Sequence, residues 1–101
     1  MVNTKQDLFG TLSNNKNKLQ KLGVSRIGVF GSFVSDEQTK SSDVDLLVEF
    51  IKGKKNFHNF MNTADYAESI LGRKVDLVTP EALSPYIGPH IMKNIQYVQI
   101  A

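Results

Sequence analysis

The stretch that decides the fold reads SDVDLLVEF, residues 42–50. Side chains of a β-strand point alternately to its two faces, so this pattern predicts a strand whose even-numbered, apolar residues face a core. Asp43 and Asp45 then share the opposite face. Two like charges held side by side repel each other, and a hard divalent cation such as Mg²⁺ between them would relieve that repulsion. The stretch therefore predicts a core strand that carries a metal-binding carboxylate pair.

A glycine–serine pair precedes this strand. Gly31 and Ser32 follow the apolar run of residues 27–30, and ten residues separate Ser32 from Asp43. A turn at a strand end that opens a helix offers backbone N–H groups to an anion. Each residue also has a simpler explanation. Gly31 would be a turn glycine with positive φ, and Ser32 would be a helix N-cap; both roles are compatible with an anion site. Taken alone, Asp43 would equally fit a cap at the start of the strand, and Asp45 a solvent-facing strand residue. The aspartates together with the Gly31-Ser32 turn indicate a nucleotide-handling site.

Composition bounds the class of protein. A chain of 101 residues predicts one domain, residues 1–101, with a single core. Its net charge of +2 is too small to indicate a duplex nucleic-acid binder. The absence of cysteine excludes disulfides and thiolate zinc sites and fits a reducing compartment. With no signal-peptide pattern and no apolar run approaching the ~20 residues of a membrane span, we expect a cytoplasmic domain without membrane contact.

Hydrophobic periodicity predicts alternating helices and strands, and hence an α/β fold: a small mixed β-sheet with helices packed mainly on one face. The first helix, capped by Thr4 and Asp7, should run on through Leu22 to a stop at Gly23. A final helix after Pro89 should bury apolar residues. The remaining expected elements are a strand at 25–30, a short helix within 33–41 that decays into a polar loop, strands at 43–50 and 74–78, and a helix at 57–71 ended by Gly72. The final helix should bury Ile91, Ile95 and Val98.

The spacing of these motifs resembles that of a known family. Gly31-Ser32, ten residues and then Asp43-Val44-Asp45 resemble the signature of the minimal nucleotidyltransferases, within the polymerase β-like superfamily. The resemblance continues through residues 46–50 and into residues 75–83, VDLVTPEAL, so it covers most of the chain. In that family a third strand carboxylate completes the metal site, and Asp76 is the matching residue here.

The resemblance implies a reaction and a partner. Asp43, Asp45 and Asp76 would hold Mg²⁺, in two ions, and act as the catalytic residues, while Gly31 and Ser32 would contact the phosphates of ATP. Small prokaryotic members resemble antitoxins encoded beside a HEPN-domain ribonuclease toxin. They silence it by transferring AMP from ATP to a tyrosine, so the resemblance implies a hetero-oligomer with such a toxin.

The chain departs from the family at the turn that follows Gly31-Ser32. Ser35 stands where an arginine is frequent, and Asp36 stands where a second glycine is usual. An arginine would neutralise triphosphate charge with forked hydrogen bonds, which serine cannot do. Arg26 and Lys40 are alternative phosphate contacts.

Other basic and aromatic residues have two explanations each. Arg73 and Lys74 precede the third strand and could steer nucleotide. The lysines of a basic loop could bind an acidic partner or a phosphate, or be merely solvated. The helix at 57–71 is mainly core packing, although its exposed edge could contact a partner. The loop lysines are Lys52, Lys54 and Lys55.

Three functions compete. The first is a nucleotidyltransferase that modifies a protein hydroxyl and so acts as an antitoxin. The second is a non-catalytic nucleotide-binding module that neutralises a toxin by stoichiometric binding. The third, an enzyme that extends a nucleic-acid end, is disfavoured because the sequence has no basic track with interleaved aromatic residues, so we expect no direct nucleic-acid binding.

Overall fold

Four strands form one mixed sheet in the computed structural model, which describes residues 1–86 and 88–101. The strand order is β3-β2-β1-β4. Strand β1 is antiparallel to both β2 and β4, whereas β2 and β3 are parallel. The predicted mixed sheet is thereby confirmed. The strands are β1 (Val24–Phe30), β2 (Val44–Phe50), β3 (Val75–Val78) and β4 (Gln96–Gln99).

Helices cover one face of this sheet. The core joins apolar residues of α1, α2 and α4 to the inward-facing residues of β1 and β2. Val44, Leu46 and Val48 are fully buried in it, as the alternation predicts. No helix of the described residues is long and apolar enough to cross a membrane. The helices are α1 (Lys5–Asn14), α2 (Lys16–Lys21), α3 (Ser32–Ser35), α4 (Phe57–Leu71) and α5 (Gly88–Asn94), with a 3₁₀ turn at Pro80–Ala82.

The capping signals at the N-terminal helix act as predicted, but its length was wrong. Thr4 and Asp7 form a reciprocal capping box at the start of α1. The helix then breaks at Asn15 instead of continuing to Leu22. The Asn15 amide donates to the Thr11 carbonyl at 2.8 Å and accepts from the Tyr66 hydroxyl at 2.7 Å. Because asparagine competes for backbone groups in this way, it ends α1 and starts α2.

The C-terminal prediction was also wrong in part. The helix after Pro89 stops at Asn94, and Val98 lies in β4, paired with Ile27 of β1. The buried Val98 and Ile100 alternate with the exposed Gln99, which suits a strand, and β1 offers this segment an unpaired edge. Val98 is buried as predicted, but by sheet pairing.

One helix agrees with expectation and another differs. The short helix predicted within 33–41, decaying into a polar loop, is α3, which ends at Ser35 because Asp36 takes a left-handed conformation with φ of 63°. In α4, Phe57 and Met61 are exposed, whereas the predicted stripe had them packed in the core. Gly72 ends α4 in a left-handed conformation, as expected.

Candidate active site

The sheet register brings two of the three predicted carboxylates together. Asp45 of β2 is directly opposite Asp76 of the parallel strand β3 and opposite Phe30 of β1. Because directly opposite residues share a sheet face, both carboxylates project away from the core. Asp43 lies one residue before β2 begins. Asp45 is half-buried and Asp76 is exposed, so the pair opens to solvent.

Electrostatics at this pair favour a cation. The pKa of Asp45 is raised to about 6, first by burial, then by the charges of Asp76 and Asp43, and finally by a hydrogen bond with Asp76. A proton shared between Asp45 and Asp76 relieves their repulsion, and a divalent ion would do so more completely. The pair therefore fits the hard, oxygen-liganded metal that the family implies.

Asp43 affects the pair electrostatically but does not lie in it. As the side chains of the described residues are placed, no three His, Asp or Glu groups lie close enough together to hold a metal ion. Asp43 acts on Asp45 through its charge. A third ligand from Asp43 would therefore require its side chain to turn toward the pair.

The turn at residues 31–36 approaches the carboxylates closely. Gly31 precedes α3 with φ of 75° and ψ of −150°. A Cβ atom at this position would collide with the Asp45 carboxylate. Only glycine therefore permits both this backbone conformation and this approach. Gly31 brings the turn beside the carboxylate pair.

Ser32 is the first residue of α3, so its predicted alternative role as N-cap is wrong: Gly31 occupies the cap position and provides no side-chain bond. Among the described residues, the Ser32 hydroxyl forms no hydrogen bond, although its side chain is half-buried. It borders a groove of about 960 Å³. The hydroxyl is thus available to a ligand in that groove.

The family departures have clear structural consequences. The Ser35 hydroxyl donates back to the carbonyls of Gly31 and Ser32 at 3.3 and 3.4 Å, and so adds no positive charge. Asp36 occupies a left-handed conformation, which explains why glycine would suit this position. Asp36 borders a different cavity, shared with Lys5, so its carboxylate does not line the groove beside Ser32.

Helix α5 forms the opposite wall of the groove. His90, Lys93 and Asn94 line it together with the turn, and Glu37 adds one acidic group. Lys93 forms no ion pair with any described residue. The sequence analysis missed this lysine, because nothing in its local pattern says which way a short C-terminal helix will face.

The predicted alternative phosphate contacts do not line the groove beside Ser32. The Arg26 guanidinium pairs with Glu49 at 2.8 Å and lies 3.7 Å from the centre of the Tyr97 ring. Arg26 also sits four residues before the end of β1, about 13 Å along the strand from Phe30. Lys40, in the loop before β2, is exposed and does not line the groove. Lys93 is better placed than either residue.

Arg73 is a structural residue, and the suggestion that it steers nucleotide was wrong. It is 8% exposed, and its guanidinium donates to the carbonyls of Val2 at 2.6 Å, Thr39 at 3.0 Å and Ser42 at 2.8 Å. It also lies 5.1 Å from the centre of the Phe33 ring in α3. Arg73 thus joins the loop that leads to Asp43 to the helix that follows Gly31.

Comparisons with known proteins agree with this geometry. Residues 12–98 match the family model of the nucleotidyltransferase domain. A protein adenylyltransferase of Thermococcus cleftensis, MntA, is 35% identical over 96 residues, which cover 94% of this chain and 96% of that protein. A solved structure described as a minimal nucleotidyltransferase has a TM-score of 0.70 and 27% identity, covering 87% of this chain and 93% of the other.

A second solved structure is that of a toxin–antitoxin with AMP-PNP. It has a TM-score of 0.62 and 25% identity, covering 82% of this chain and 71% of the matched chain. The chain belongs to the nucleotidyltransferase domain family, in agreement with the resemblance to minimal nucleotidyltransferases, and it is an enzyme of that class.

Proposed function

We propose that this protein transfers AMP from ATP to a tyrosine hydroxyl of a cognate HEPN ribonuclease toxin, in a Mg²⁺-dependent reaction, and so acts as its antitoxin. The observation that carries the proposal is the Asp45–Asp76 pair, held on neighbouring strands beside the Gly31-Ser32 turn. The similarity to an archaeal protein adenylyltransferase, and to a toxin–antitoxin bound to an ATP analogue, supports it.

The residues would divide the work as follows. Asp43, Asp45 and Asp76 would hold Mg²⁺, which would neutralise phosphate charge during an in-line displacement. The Ser32 hydroxyl would bind a β- or γ-phosphate and leave the α-phosphate exposed beside the carboxylates. The tyrosine oxygen then forms a bond to the α-phosphorus as the bond to the β-phosphate oxygen breaks and pyrophosphate leaves. Asp76, the more exposed carboxylate, would accept the tyrosine proton.

The rate would come mainly from positioning and from charge neutralisation, since the protein forms no covalent intermediate in this scheme. The acceptor would be presented by a partner, because the described residues form one sheet and one core, with no separate acceptor-binding domain among them. A hetero-oligomer with the toxin follows from this requirement.

Intact-mass measurement tests the proposal. The protein is co-expressed with the HEPN-domain protein of the same genome, and the toxin is weighed with and without ATP and Mg²⁺. We expect the toxin to gain whole AMP units, and to gain none with Asp45→Asn. A toxin of unchanged mass, in a complex that forms normally, would contradict the proposed transfer.

A second candidate is a non-catalytic module that neutralises the toxin by stoichiometric binding. The lack of an arginine in the 31–36 turn favours it, because triphosphate affinity would fall. The two functions separate on stoichiometry. If a substoichiometric amount of this protein inactivates the toxin when ATP is present, inhibition is enzymatic. If inhibition needs one protein per toxin and does not depend on ATP, stoichiometric binding explains it.

A further inference from the structure

The groove beside Ser32 has two walls that differ in charge. One wall is the 31–36 turn, whose Ser32 and Ser35 side chains are neutral. The other wall is helix α5, whose Lys93 lines the groove from the last helical turn. Among the described residues that line this groove, Lys93 is the only lysine or arginine and Glu37 is the only acidic residue. A strongly anionic ligand in the groove would therefore meet its cation on α5, since the turn has none.

Helix α5 is held in place by close packing on the sheet. Ile95, which follows α5 directly, packs on Gly28 of β1, where a Cβ atom would collide with the Ile95 side chain. Gly28 lies two residues before Phe30, which is paired with Asp45, so Gly28 is on the same sheet face as the carboxylate pair. The backbone position of Lys93 is therefore fixed relative to the face that carries the carboxylates.

Lys93 has two simpler explanations, an ion pair and a stabilised helix end. The first does not apply, because Lys93 forms no ion pair with Glu37 or with any other described residue. The second is real, because a lysine in the last turn of a helix interacts favourably with the helix dipole. Lys21 is in the same position at the end of α2 and does not line the groove. The two lysines therefore separate the helix-end role, which they share, from a role in the groove.

We propose that Lys93 binds the β- and γ-phosphates of the nucleotide from the α5 wall, across the groove from Ser32, and so provides the positive charge that the turn lacks. A lysine ammonium binds phosphate as a compact point charge, and its flexible stem lets it reach phosphate oxygens without a fixed partner. Its position on α5 leaves the α-phosphate, beside the carboxylate pair, open to attack. The inference deepens the proposed function and rests on it, because it takes the ligand of this groove to be ATP.

Calorimetric titrations of nucleotides in Mg²⁺ test the role of Lys93. Lys93→Gln removes the charge and keeps most of the side chain, so it should weaken ATP binding by about fivefold. Binding of AMP, which has no β- or γ-phosphate, should change little. The loss for ATP should shrink as salt is raised, and Lys93→Arg should restore the affinity. Lys21→Gln is the matched control for the helix-end role and should bind ATP as the wild type does.

Two further variants test the sign and the place of the charge. Glu37→Gln removes the acidic side chain of the groove, so it should tighten ATP binding. Ser35→Arg places a cation on the opposite wall. It should improve ATP affinity more in Lys93→Gln than in the wild type, because an arginine and a lysine that bind the same phosphates repel each other. Equal improvement in the two backgrounds would show that Lys93 does not contact those phosphates.

Inorganic tripolyphosphate keeps the test independent of the toxin and of the nucleoside. It should bind the wild type at low salt and bind Lys93→Gln more weakly. If Lys93→Gln binds ATP and tripolyphosphate as the wild type does, or loses ATP and AMP affinity equally, Lys93 does not contact the β- and γ-phosphates and the proposal is wrong. A wild type that binds neither ATP nor tripolyphosphate would overturn it as well. The proposed function fails separately, if the wild type transfers no AMP to the toxin; weaker tripolyphosphate binding by Lys93→Gln would still support the phosphate contact.

Discussion

The carboxylate pair and the turn that faces it are built by different means. Asp45 and Asp76 owe their position to strand register, which the buried residues on the other face of the sheet enforce. The 31–36 turn depends on local backbone conformation, with positive φ at Gly31 and Asp36. A slip in register would bury the aspartates, whereas residues 35 and 36 of the turn can change without disturbing the sheet. The proposed metal-binding half of the site is therefore constrained by folding, while positions 35 and 36 of the proposed phosphate-binding turn are freer to diverge.

The largest effect should follow from changing the pair. Asp45→Asn keeps the shape of the side chain and removes the charge that a metal requires, so the rate of AMP transfer should fall by about a hundredfold or more. The rate is measured at saturating Mg²⁺ with the toxin as acceptor. Glu49→Gln, on the same face of β2 but beside Arg26, is the control and should retain the rate. Activity in Asp45→Asn equal to that of the control would remove Asp45 from the site.

The sequence predicted strand β2 and the cap of α1 better than the surroundings of the site, for a physical reason. Strand alternation and helix caps are local, so the pattern at 42–50 and the Thr4–Asp7 box were sufficient for these two, whereas Asp76 was assigned only through the family resemblance. Strand β4 was missed because its four residues form a strand only against the edge of β1, which is remote in sequence. Lys93 was missed for the same reason, since the orientation of α5 depends on β4 that follows it.

Arg73 shows a further limit of sequence reasoning. Between Gly72 and Lys74 it reads as a surface cation, yet it is buried by the chain segments whose carbonyls it binds. These segments lie 31 and 71 residues away in sequence. No local pattern contains them.

Arg73 contacts both the loop that leads to Asp43 and the helix that follows Gly31, so its removal should destabilise both regions. Arg73→Met fills similar space but leaves the carbonyls of Val2 and Ser42 without their donor. The free energy of unfolding should fall by about 3 kcal/mol, as expected when buried acceptors lose their partners. Urea denaturation measures this change. Arg26→Met is the matched control; its ion pair is over a third exposed at Arg26, so the loss there should stay at about 1 kcal/mol or below.

Ser32 tests the turn alone. If its hydroxyl binds a phosphate, Ser32→Ala should weaken ATP binding by about tenfold, the value of one hydrogen bond to a charged group. Affinity for the toxin should not change, because the proposed role of Ser32 is contact with the nucleotide alone. Calorimetric titration of ATP in Mg²⁺ provides the measurement. Equal ATP affinity in the variant and the wild type would show that Ser32 does not contact the nucleotide.

The pair should also leave a pH signature in metal-free protein. The folded-state pKa of Asp45, about 6, lies above its ordinary value of 3.8, so the folded protein binds the proton more tightly than the unfolded chain does. The resulting stabilisation is complete below pH 3.8 and is lost as the pH rises through 6. Asp45→Asn removes this dependence and should be more stable than the wild type at neutral pH by about 1 kcal/mol, once solvent screening of this half-exposed group is considered.

Thermal melts of the two proteins across this range isolate the contribution of Asp45 from those of other carboxylates. The stability difference should close toward pH 4 and open above pH 6. Saturating Mg²⁺ should stabilise the wild type and narrow the difference at neutral pH, because the ion replaces the proton between the carboxylates. If the stability difference between the two proteins does not depend on pH, the surroundings of Asp45 do not raise its pKa.

The smallest effect, and the sharpest test of the comparison, comes from restoring the family residues in the turn. Ser35→Arg with Asp36→Gly adds one positive charge beside the groove, removes a nearby negative one and releases the left-handed strain at Asp36. At an effective dielectric of ~20, one charge pair at about 6–8 Å gives on the order of 2 kcal/mol, which screening and side-chain ordering should cut to roughly 1 kcal/mol. ATP should therefore bind several-fold tighter at low salt, and the gain should shrink as salt is raised. Asp36→Gly alone separates the effect of backbone strain from that of charge. It should raise the free energy of unfolding by about 0.5–1 kcal/mol, and it should change ATP affinity little because Asp36 faces the other cavity.

If the double variant binds ATP no better than the wild type, another cation already contacts the phosphates. Lys93→Ala, which removes the lysine on the facing wall, should then weaken ATP binding more than Lys40→Ala does.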